Sequence, residues 1–313
     1  MCAIFGLIDY GKVFTAAQRE CFMNVLATEC ELRGTDATGF AFNSGGKLRI
    51  YKRPVAAHEI SLKLSEDANV ILGHTRMATQ GDCKKNYNNH PFYGKARGTK
   101  FALAHNGIVY NDHKIATDTK LPVTKIETDS YVAVQMIERS GELSEKSLAE
   151  MAEKINGPFV FTVLDERNNS YFVKGDNPLA LYHFAEGFYA YASTDQILES
   201  ALDILGLSAL PFAEINSDCG DILKIDNDGK LTRSQFQPPI IRSYYCYTPI
   251  NSNFRRACQY DMLVRFVIQR TSWRDAEVTL YCAASVRRFW RDPLDIVSSL
   301  SLSTTMGCIR ESI

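Results

Sequence analysis

The sequence lacks the features expected of a membrane, secreted or nucleic-acid-binding protein. It has no run of about 18 apolar residues and no cationic leader followed by an apolar core, so we expect neither a membrane span nor a signal peptide. Its 35 basic residues nearly balance its 36 acidic residues, so no overall charge favours nucleic acid or an anionic membrane surface. These absences predict a cytoplasmic chain without nucleic-acid or membrane partners.

Metal and nucleotide signatures are missing as well. The cysteines number nine, which is odd, and none forms a C-x-x-C pair, so we expect free thiols in a reducing compartment and no zinc site. Neither G-x-x-x-x-G-K-[ST] nor G-x-G-x-x-G occurs, so the sequence gives no nucleotide signal. The sequence therefore predicts no metal and no cofactor.

The N-terminal end of the sequence carries a candidate nucleophile. Cys2 follows Met1 and precedes an apolar stretch, residues 3–8. Removal of Met1 would leave a thiol and a free α-amine on one residue. An α-amine titrates near ~8 and a thiol near ~8.5, so the amine can accept the thiol proton at neutral pH. The alternative is an ordinary first strand whose second residue happens to be cysteine.

The pattern of apolar residues predicts a chain that mixes strands and helices. Strands are predicted at residues 2–9, 38–43, 47–52, 70–74, 101–105, 159–165, 170–174, 179–184, 188–192 and 221–226. Helices are predicted from residue 15 to about 34, and at residues 129–139, 144–156 and 194–205. The strands come in groups without strict βαβ alternation, which favours antiparallel sheets that stack and are covered by helices.

Four separated segments accompany Cys2. They are residues 33–39 (RGTDATG), 73–81 (GHTRMATQG), 105–107 (HNG) and 128–130 (TDS). Together they supply a candidate for each group that hydrolysis of a glutamine amide needs: a nucleophile, donors for an oxyanion, and charges that hold an amino acid. From residue 2 to about 242, the sequence resembles the glutaminase domain of the class II glutamine amidotransferases, which are N-terminal nucleophile hydrolases, and most closely that of glucosamine-6-phosphate synthase.

This resemblance implies a fold and a set of roles. The fold would be an α+β, four-layer αββα sandwich of two stacked antiparallel sheets, formed by residues 2–242. Cys2 would attack L-glutamine and form a γ-glutamyl thioester, giving glutamate and ammonia. Asn106 and Gly107 would form the oxyanion hole. Arg76 would bind the substrate carboxylate, Asp129 would bind the substrate ammonium, and Thr79 would add a further substrate contact. Arg33, Gly34 and Asp36 would support the site.

Several of these residues have plainer interpretations. Asn106-Gly107 could be a two-residue hairpin turn, Arg76 a surface arginine, and Asp129 an acid at a helix N-terminus. We interpret His105 as a structural histidine. Met77 and Gln80 depart from the tryptophan and histidine that the nearest relatives use at these positions. At the level of function, the alternatives are an acylase that cleaves another amide and a catalytically silent glutamine-binding module.

Residues 243–313 are predicted to be a tail of unknown role. From residue 254 onward the sequence has nine arginines and no lysine, against ten arginines and sixteen lysines before it. Its arginines could bind RNA or an acidic partner, although six acidic neighbours favour a solvated segment. Nothing after residue 242 resembles a domain that uses ammonia. The sequence therefore leaves the acceptor unnamed and predicts either a separate synthetase or acceptor-domain subunit as partner or glutamine hydrolysis that is not coupled to a partner.

Overall fold

The computed structural model describes residues 2–238. Met1 and residues 239–313, which include the whole predicted tail, lie outside the described residues. In chain order the elements are β1 (Ala3–Ile8), α1 (Ala16–Glu29), β2 (Ala37–Ser44), β3 (Lys47–Arg53), β4 (Val70–Arg76), β5 (Phe92–Ala96), β6 (Thr99–Gly107), α2 (Asp112–Asp118), α3 (Tyr131–Ser140), α4 (Glu145–Ala152), β7 (Phe159–Asp165), β8 (Ser170–Lys174), β9 (Ala180–Phe184), β10 (Phe188–Ala192), α5 (Asp195–Ile204), β11 (Phe212–Glu214), β12 (Asp221–Ile225) and β13 (Leu231–Gln235).

The strands form two sheets, and their pairings are antiparallel. The first sheet has the order β11-β9-β10-β1-β4-β2-β3, and the second has the order β13-β12-β8-β7-β6-β5. Strand β1 is central in the first sheet, between β10 and β4. The residue that precedes β1, Cys2, is therefore held at the end of a strand that has a neighbour on each side.

Apolar packing occurs in three layers, as a sandwich with helices on both outer faces requires. One cluster joins α1 and α5 to the first sheet, a second fills the space between the sheets, and a third joins α2, α3 and α4 to the second sheet. Strand β1 shows the period-two alternation of a strand buried on both faces. Phe5 and Leu7 pack in the first cluster, whereas Ile4 and Ile8 pack in the second. The predicted αββα sandwich of two antiparallel sheets is confirmed.

Local signals in the sequence also appear in the structure. Thr15 caps α1, because its hydroxyl accepts the Gln18 N–H at 3.3 Å while the Gln18 side chain accepts the Thr15 N–H at 2.8 Å. The structure adds β5, β11, β13 and α2, which the sequence patterns did not predict. Helix α3 begins at Tyr131 rather than at Asp129, and the Asp129 carboxylate accepts a main-chain N–H from Val109. Within residues 2–238, no helix is long and apolar enough to cross a membrane.

Candidate active site

One end of the sandwich collects the segments singled out in the sequence. Ala3 of β1 pairs with Thr75 of β4, and Ala37 of β2 pairs with Arg76, the last residue of β4. Cys2, the residues just before β2 and the end of β4 therefore share one end of the first sheet. In the second sheet, β6 ends at Asn106 and Gly107, which pair with Val160 and Phe159 of β7. The interpretation of Asn106-Gly107 as a two-residue hairpin turn is therefore wrong.

Cys2 is partly buried and contacts the loop that follows β4. Its thiol lies 3.5 Å from the main-chain oxygen of Met77. Burial raises the pKa of the Cys2 thiol, and the nearby charge of Asp129 acts in the same direction. A main-chain hydrogen bond of Met77 to the sulfur and the charge of Arg76 oppose that increase in the pKa. In this environment the thiol needs a base before it can act as a nucleophile.

Arg33 links the candidate nucleophile to the candidate oxyanion donor. Its Nε donates to the main-chain oxygen of Cys2 at 2.9 Å, and its Nη2 lies 3.4 Å from Oδ1 of Asn106. One guanidinium thus contacts residues from both sheets. Burial lowers the pKa of Arg33, but arginine remains charged in proteins, so the side chain acts here as a fixed donor.

Gly34 and Asp36 hold the end of β4 in place. A Cβ on Gly34 would lie 2.5 Å from the main-chain oxygen of Arg76, so only glycine allows this close approach. The N–H of Asp36 donates to that same Arg76 oxygen at 2.9 Å, and the Asp36 carboxylate accepts the Ala78 N–H at 2.7 Å. The segment before β2 therefore fixes the main chain on both sides of Met77.

Asn106 and Gly107 are held rigidly at the end of β6. Asn106 is 0% exposed, and its main-chain oxygen accepts Nδ2 of Asn177 at 2.7 Å. Its own Nδ2 donates to the hydroxyl of Ser193 at 3.3 Å. Gly107 has a φ of +152°, and a Cβ there would lie 2.0 Å from the Pro158 oxygen, so glycine is required. A side-chain amide and a main-chain N–H at the end of a strand form a suitable pair of donors for an oxyanion.

Arg76 and Asp129 are buried side chains of opposite charge, 2% and 6% exposed. Arg76 donates to Asn89 Oδ1 at 2.6 Å and to the Gly81 oxygen at 3.2 Å, while Asp129 accepts the Val109 N–H at 2.6 Å. Among residues 2–238, neither has an oppositely charged group within 4.0 Å. Burial raises the pKa of Asp129 and lowers that of Arg76. Such charges are costly to bury unless a partner arrives.

The loop after β4 is open to solvent. Met77, Thr79 and Gln80 are exposed, and Gln80 donates to the Asp112 carboxylate at 3.1 Å. Arg76 contacts this loop through the main-chain oxygen of Gly81, so the arginine connects the loop to the buried part of the site. Thr79 is thus at the rim, whereas the other predicted site residues lie on strands or in the segments that flank them.

Three buried histidines pack behind the site. The ring of His74 lies 4.3 Å from that of His90, and its Nε2 is hydrogen-bonded to the main-chain oxygen of His105 at 3.0 Å. The His105 ring stacks on Phe161 at 4.4 Å. Burial lowers the pKa of His74 and of His105 to about 3, so both are neutral at pH 7. Within the described residues, no group of three His, Cys, Asp or Glu side chains could hold a metal ion.

Sequence reasoning missed Asn89, Asn177 and Ser193. Asn177 and Ser193 are small polar residues with no motif around them, whereas Asn89 lies in the turn Asn88-Asn89-His90-Pro91, to which no site role was assigned. Each touches a predicted site residue from another part of the chain. The contact between Ser193 and Asn106 spans 87 positions of sequence. Nothing in the local pattern could have identified these residues, because their role depends on how the two sheets stack.

Residues 74–200 match the family model described as a glutamine amidotransferase domain. The glutamine-fructose-6-phosphate aminotransferase (isomerizing) of Staphylococcus epidermidis is 30% identical over 203 residues, which cover 62% of this chain and 32% of the relative. The enzyme of the same name from Geobacillus kaustophilus is 29% identical over 201 residues, with the same coverage. The chain thus spans about a third of the length of these relatives.

Solved structures share the fold. Glutamine phosphoribosylpyrophosphate amidotransferase from B. subtilis, complexed with ADP and GMP, superposes with a TM-score of 0.59 at 19% identity, over 75% of this chain and 49% of that one. Residues 74–200 are thus similar to a glutamine amidotransferase domain, and the chain shares the fold of a solved glutamine amidotransferase.

Proposed function

We propose that this domain hydrolyses the side-chain amide of L-glutamine, with Cys2 as the nucleophile. The observation that carries the proposal is the pair of buried charges, Arg76 and Asp129, which lack ionic partners among the described residues. A free amino acid carries the complementary pair, an α-carboxylate and an α-ammonium. An acylase has no need to hold both, so this pair favours glutamine over other amides.

The proposed reaction begins once Met1 has been removed and Cys2 carries a free α-amine. The amine takes the thiol proton, and the sulfur attacks the carboxamide carbon of glutamine. The Asn106 side-chain amide and the Gly107 N–H stabilise the oxyanion that forms. The C–N bond then breaks, the amine returns the proton to the departing ammonia, and a γ-glutamyl thioester remains. Water hydrolyses the thioester and releases glutamate.

Substrate binding is assigned to the two charged residues at the end of β4 and before α3. Arg76 would form a two-pronged hydrogen-bonded pair with the α-carboxylate, and Asp129 would accept from the α-ammonium. Thr79 would add a contact from the exposed loop. Arg33, Gly34 and Asp36 would support the site, since they fix the main chain of Cys2 and of residues 76–78.

The fate of the ammonia is a proposal at the level of the whole protein. The curated relatives are named aminotransferases and are about three times as long as the matched region. We infer that this domain delivers ammonia to a synthetase or acceptor domain, and that it works in the cytoplasm.

The test is glutamate release from L-glutamine by the purified chain, together with its intact mass. We expect a mass without Met1 and activity that is lost in Cys2→Ala, which should remain folded. A variant with a non-removable residue before Cys2 should be equally inactive. Turnover by that variant would contradict the proposal that the α-amine of Cys2 is the base. Glutamine binding without turnover by the mature chain would favour the silent binding module. Preference for an N-acyl substrate over glutamine would favour the acylase.

A further inference from the structure

Ser193 lies at the junction of the two sheets, beside the candidate nucleophile strand. It follows the last residue of β10 and is 0% exposed. The ladder between β1 and β10 ends at the pair Phe5 and Ala192. The next N–H of β1 toward Cys2, that of Ile4, donates to the Ser193 hydroxyl at 2.9 Å. The serine side chain thus replaces a ladder bond two residues from Cys2.

The same hydroxyl contacts the second sheet. It accepts Nδ2 of Asn106 at 3.3 Å, and it lies 3.4 Å from the Ile4 main-chain oxygen, to which its own proton can go. A hydroxyl has two acceptor sites and one proton, so these three contacts use its full capacity. Ser193 therefore ties the strand that carries Cys2 to the end of β6, which carries Asn106.

The orientation of the Asn106 amide follows from its two neighbours. A guanidinium can only donate, so the amide oxygen faces Arg33 at 3.4 Å and the amide nitrogen faces Ser193. One of the two Nδ2 protons goes to the Ser193 hydroxyl. The second proton remains available for an oxyanion. Without the Ser193 hydroxyl, the amide keeps only its contact with Arg33 and can rotate away from the site.

We propose that Ser193 is a positioning residue that orients the Asn106 amide as an oxyanion donor and fixes its distance from Cys2. This inference rests on the proposed glutamine hydrolysis. Removal of an oxyanion donor lowers kcat by about 100-fold to 1,000-fold. Ser193→Ala leaves the donor present but poorly oriented, so we expect a smaller loss, about 10-fold to 100-fold in kcat, with KM changed by less than about twofold.

The experiment compares Ser193→Ala with Ser147→Ala as a matched control. Ser147 is also a buried serine whose hydroxyl is hydrogen-bonded to main chain, at 2.9 Å to the Ser144 oxygen, but it belongs to α4 and has no contact with the site residues. Each variant is assayed for kcat, KM and melting temperature. Ser193→Thr and Ser193→Val form a second pair of nearly equal shape that differs in the hydroxyl, so the comparison holds even if Ser193→Ala does not fold.

Two ligands separate positioning from general damage. Glutamate γ-semialdehyde can add to the thiol and form a tetrahedral oxyanion, whereas L-glutamate binds without one. We expect Ser193→Ala to weaken binding of the semialdehyde by about tenfold and to leave glutamate binding unchanged. Ser193→Thr should retain more activity than Ser193→Val. Ser147→Ala should bind both ligands with the affinity of the wild type.

The outcomes are distinguishable. If the wild-type chain releases no glutamate, the proposed function fails and the inference fails with it. If the wild type is active but Ser193→Ala keeps its kcat, or loses semialdehyde and glutamate binding equally, Ser193 is only structural and the inference alone is overturned. Equal activity of Ser193→Thr and Ser193→Val would overturn it in the same way.

Discussion

At the scale of single residues, the site is defined by charges that burial has isolated from water. Arg76 is satisfied by neutral oxygens of Asn89 and Gly81, and Asp129 by a main-chain N–H. Both arrangements satisfy hydrogen bonds but leave the charges unpaired. A ligand with the complementary charges would relieve this, and it would be held at two points beside Cys2.

Arg76→Ala should therefore affect glutamine much more than it affects the thiol. Loss of one partner of a buried charge pair typically costs about 2 to 5 kcal/mol, which is roughly 30-fold to a few thousand-fold in kcat/KM. Alkylation of Cys2 by iodoacetamide, a small neutral reagent, should change little. The control is Arg49→Ala, which removes an exposed arginine on β3. Equal losses of turnover and alkylation in Arg76→Ala would mean that Arg76 is structural.

The pH dependence of Cys2 reactivity follows from its environment. Burial raises the thiol pKa, so the thiolate becomes abundant only at a pH above the ordinary value of about 8.5. In a chain that retains a residue before Cys2, we expect the alkylation rate at Cys2 to rise with pH through pH 9 without a plateau. Mass spectrometry of the Cys2 peptide measures this rate. A plateau reached below pH 8.5 would contradict the raised pKa.

At the scale of elements, the close approach of the segment before β2 to the end of β4 sets the geometry of the site. Gly34→Ala would place a methyl group 2.4 to 2.5 Å from main-chain atoms of Arg76 and Met77, so the loop after β4 must move. A displacement of about 1 Å can lower activity by up to about 100-fold. We expect a large loss of kcat/KM for glutamine, measured by glutamate release.

Gly141→Ala is the control for the effect of adding a methyl group. Gly141 ends α3 with a φ of +81°, and a Cβ there meets nothing within 4 Å. The variant should lose about 1 kcal/mol of stability from backbone strain and keep its activity. If Gly34→Ala is as active as Gly141→Ala, the contact between the two segments does not position the site.

The sequence predicted the elements whose apolar pattern is strong and missed those whose pattern is weak. Strands β1, β7 and β10 are buried along their whole length and stand out as apolar runs. Strand β11 has three exposed residues, and β13 is largely exposed, so neither carries the alternation that marks a strand. They are edge strands whose existence depends on pairing with β9 and β12, which local sequence does not reveal.

The same distinction applies to the site. The segments that contain Cys2, Arg76, Asn106 and Asp129 were identifiable because several residues of a recognisable pattern lie side by side, and the structure brings them to one end of the sandwich. Ser193 and Asn177 were not, since a single serine or asparagine has many uses. Their contacts with Asn106 form only when distant segments of the chain fold together.

At the scale of the whole molecule, the buried histidines make stability depend on pH. The folded-state pKa of His74 and of His105 is about 3, below the unfolded value of about 6.5, so between these values the unfolded chain binds more protons. Their neutral forms fit the fold above pH 6.5, and stability falls as the pH decreases below it. At pH 5 each histidine should lower the free energy of unfolding by about 2 kcal/mol.

Urea unfolding at pH 7 and pH 5 measures this effect. His74→Gln keeps an N–H donor for the His105 oxygen but cannot titrate, so the loss of stability on acidification should be smaller by about 2 kcal/mol than in the wild type. His113→Gln is the control, because His113 is exposed and its removal should leave the pH dependence unchanged. If both variants lose the same free energy of unfolding between pH 7 and pH 5, the buried histidines do not limit stability at low pH.

At the same scale, the domain boundary near residue 242 stays a prediction, because residues 239–313 lie outside the described residues. Both sheets and every proposed site residue fall within residues 2–238. A chain that ends at Asn253 should therefore fold and release glutamate from glutamine at the rate of the full chain. A chain that ends at Gly229 is the contrasting case. It lacks β13 and the buried Phe236, whose ring packs 6.1 Å from that of Phe159, so it should be less stable by several kcal/mol. If the chain ending at Asn253 is insoluble, or folded and inactive, residues 254–313 take part in the domain and the boundary near residue 242 is wrong.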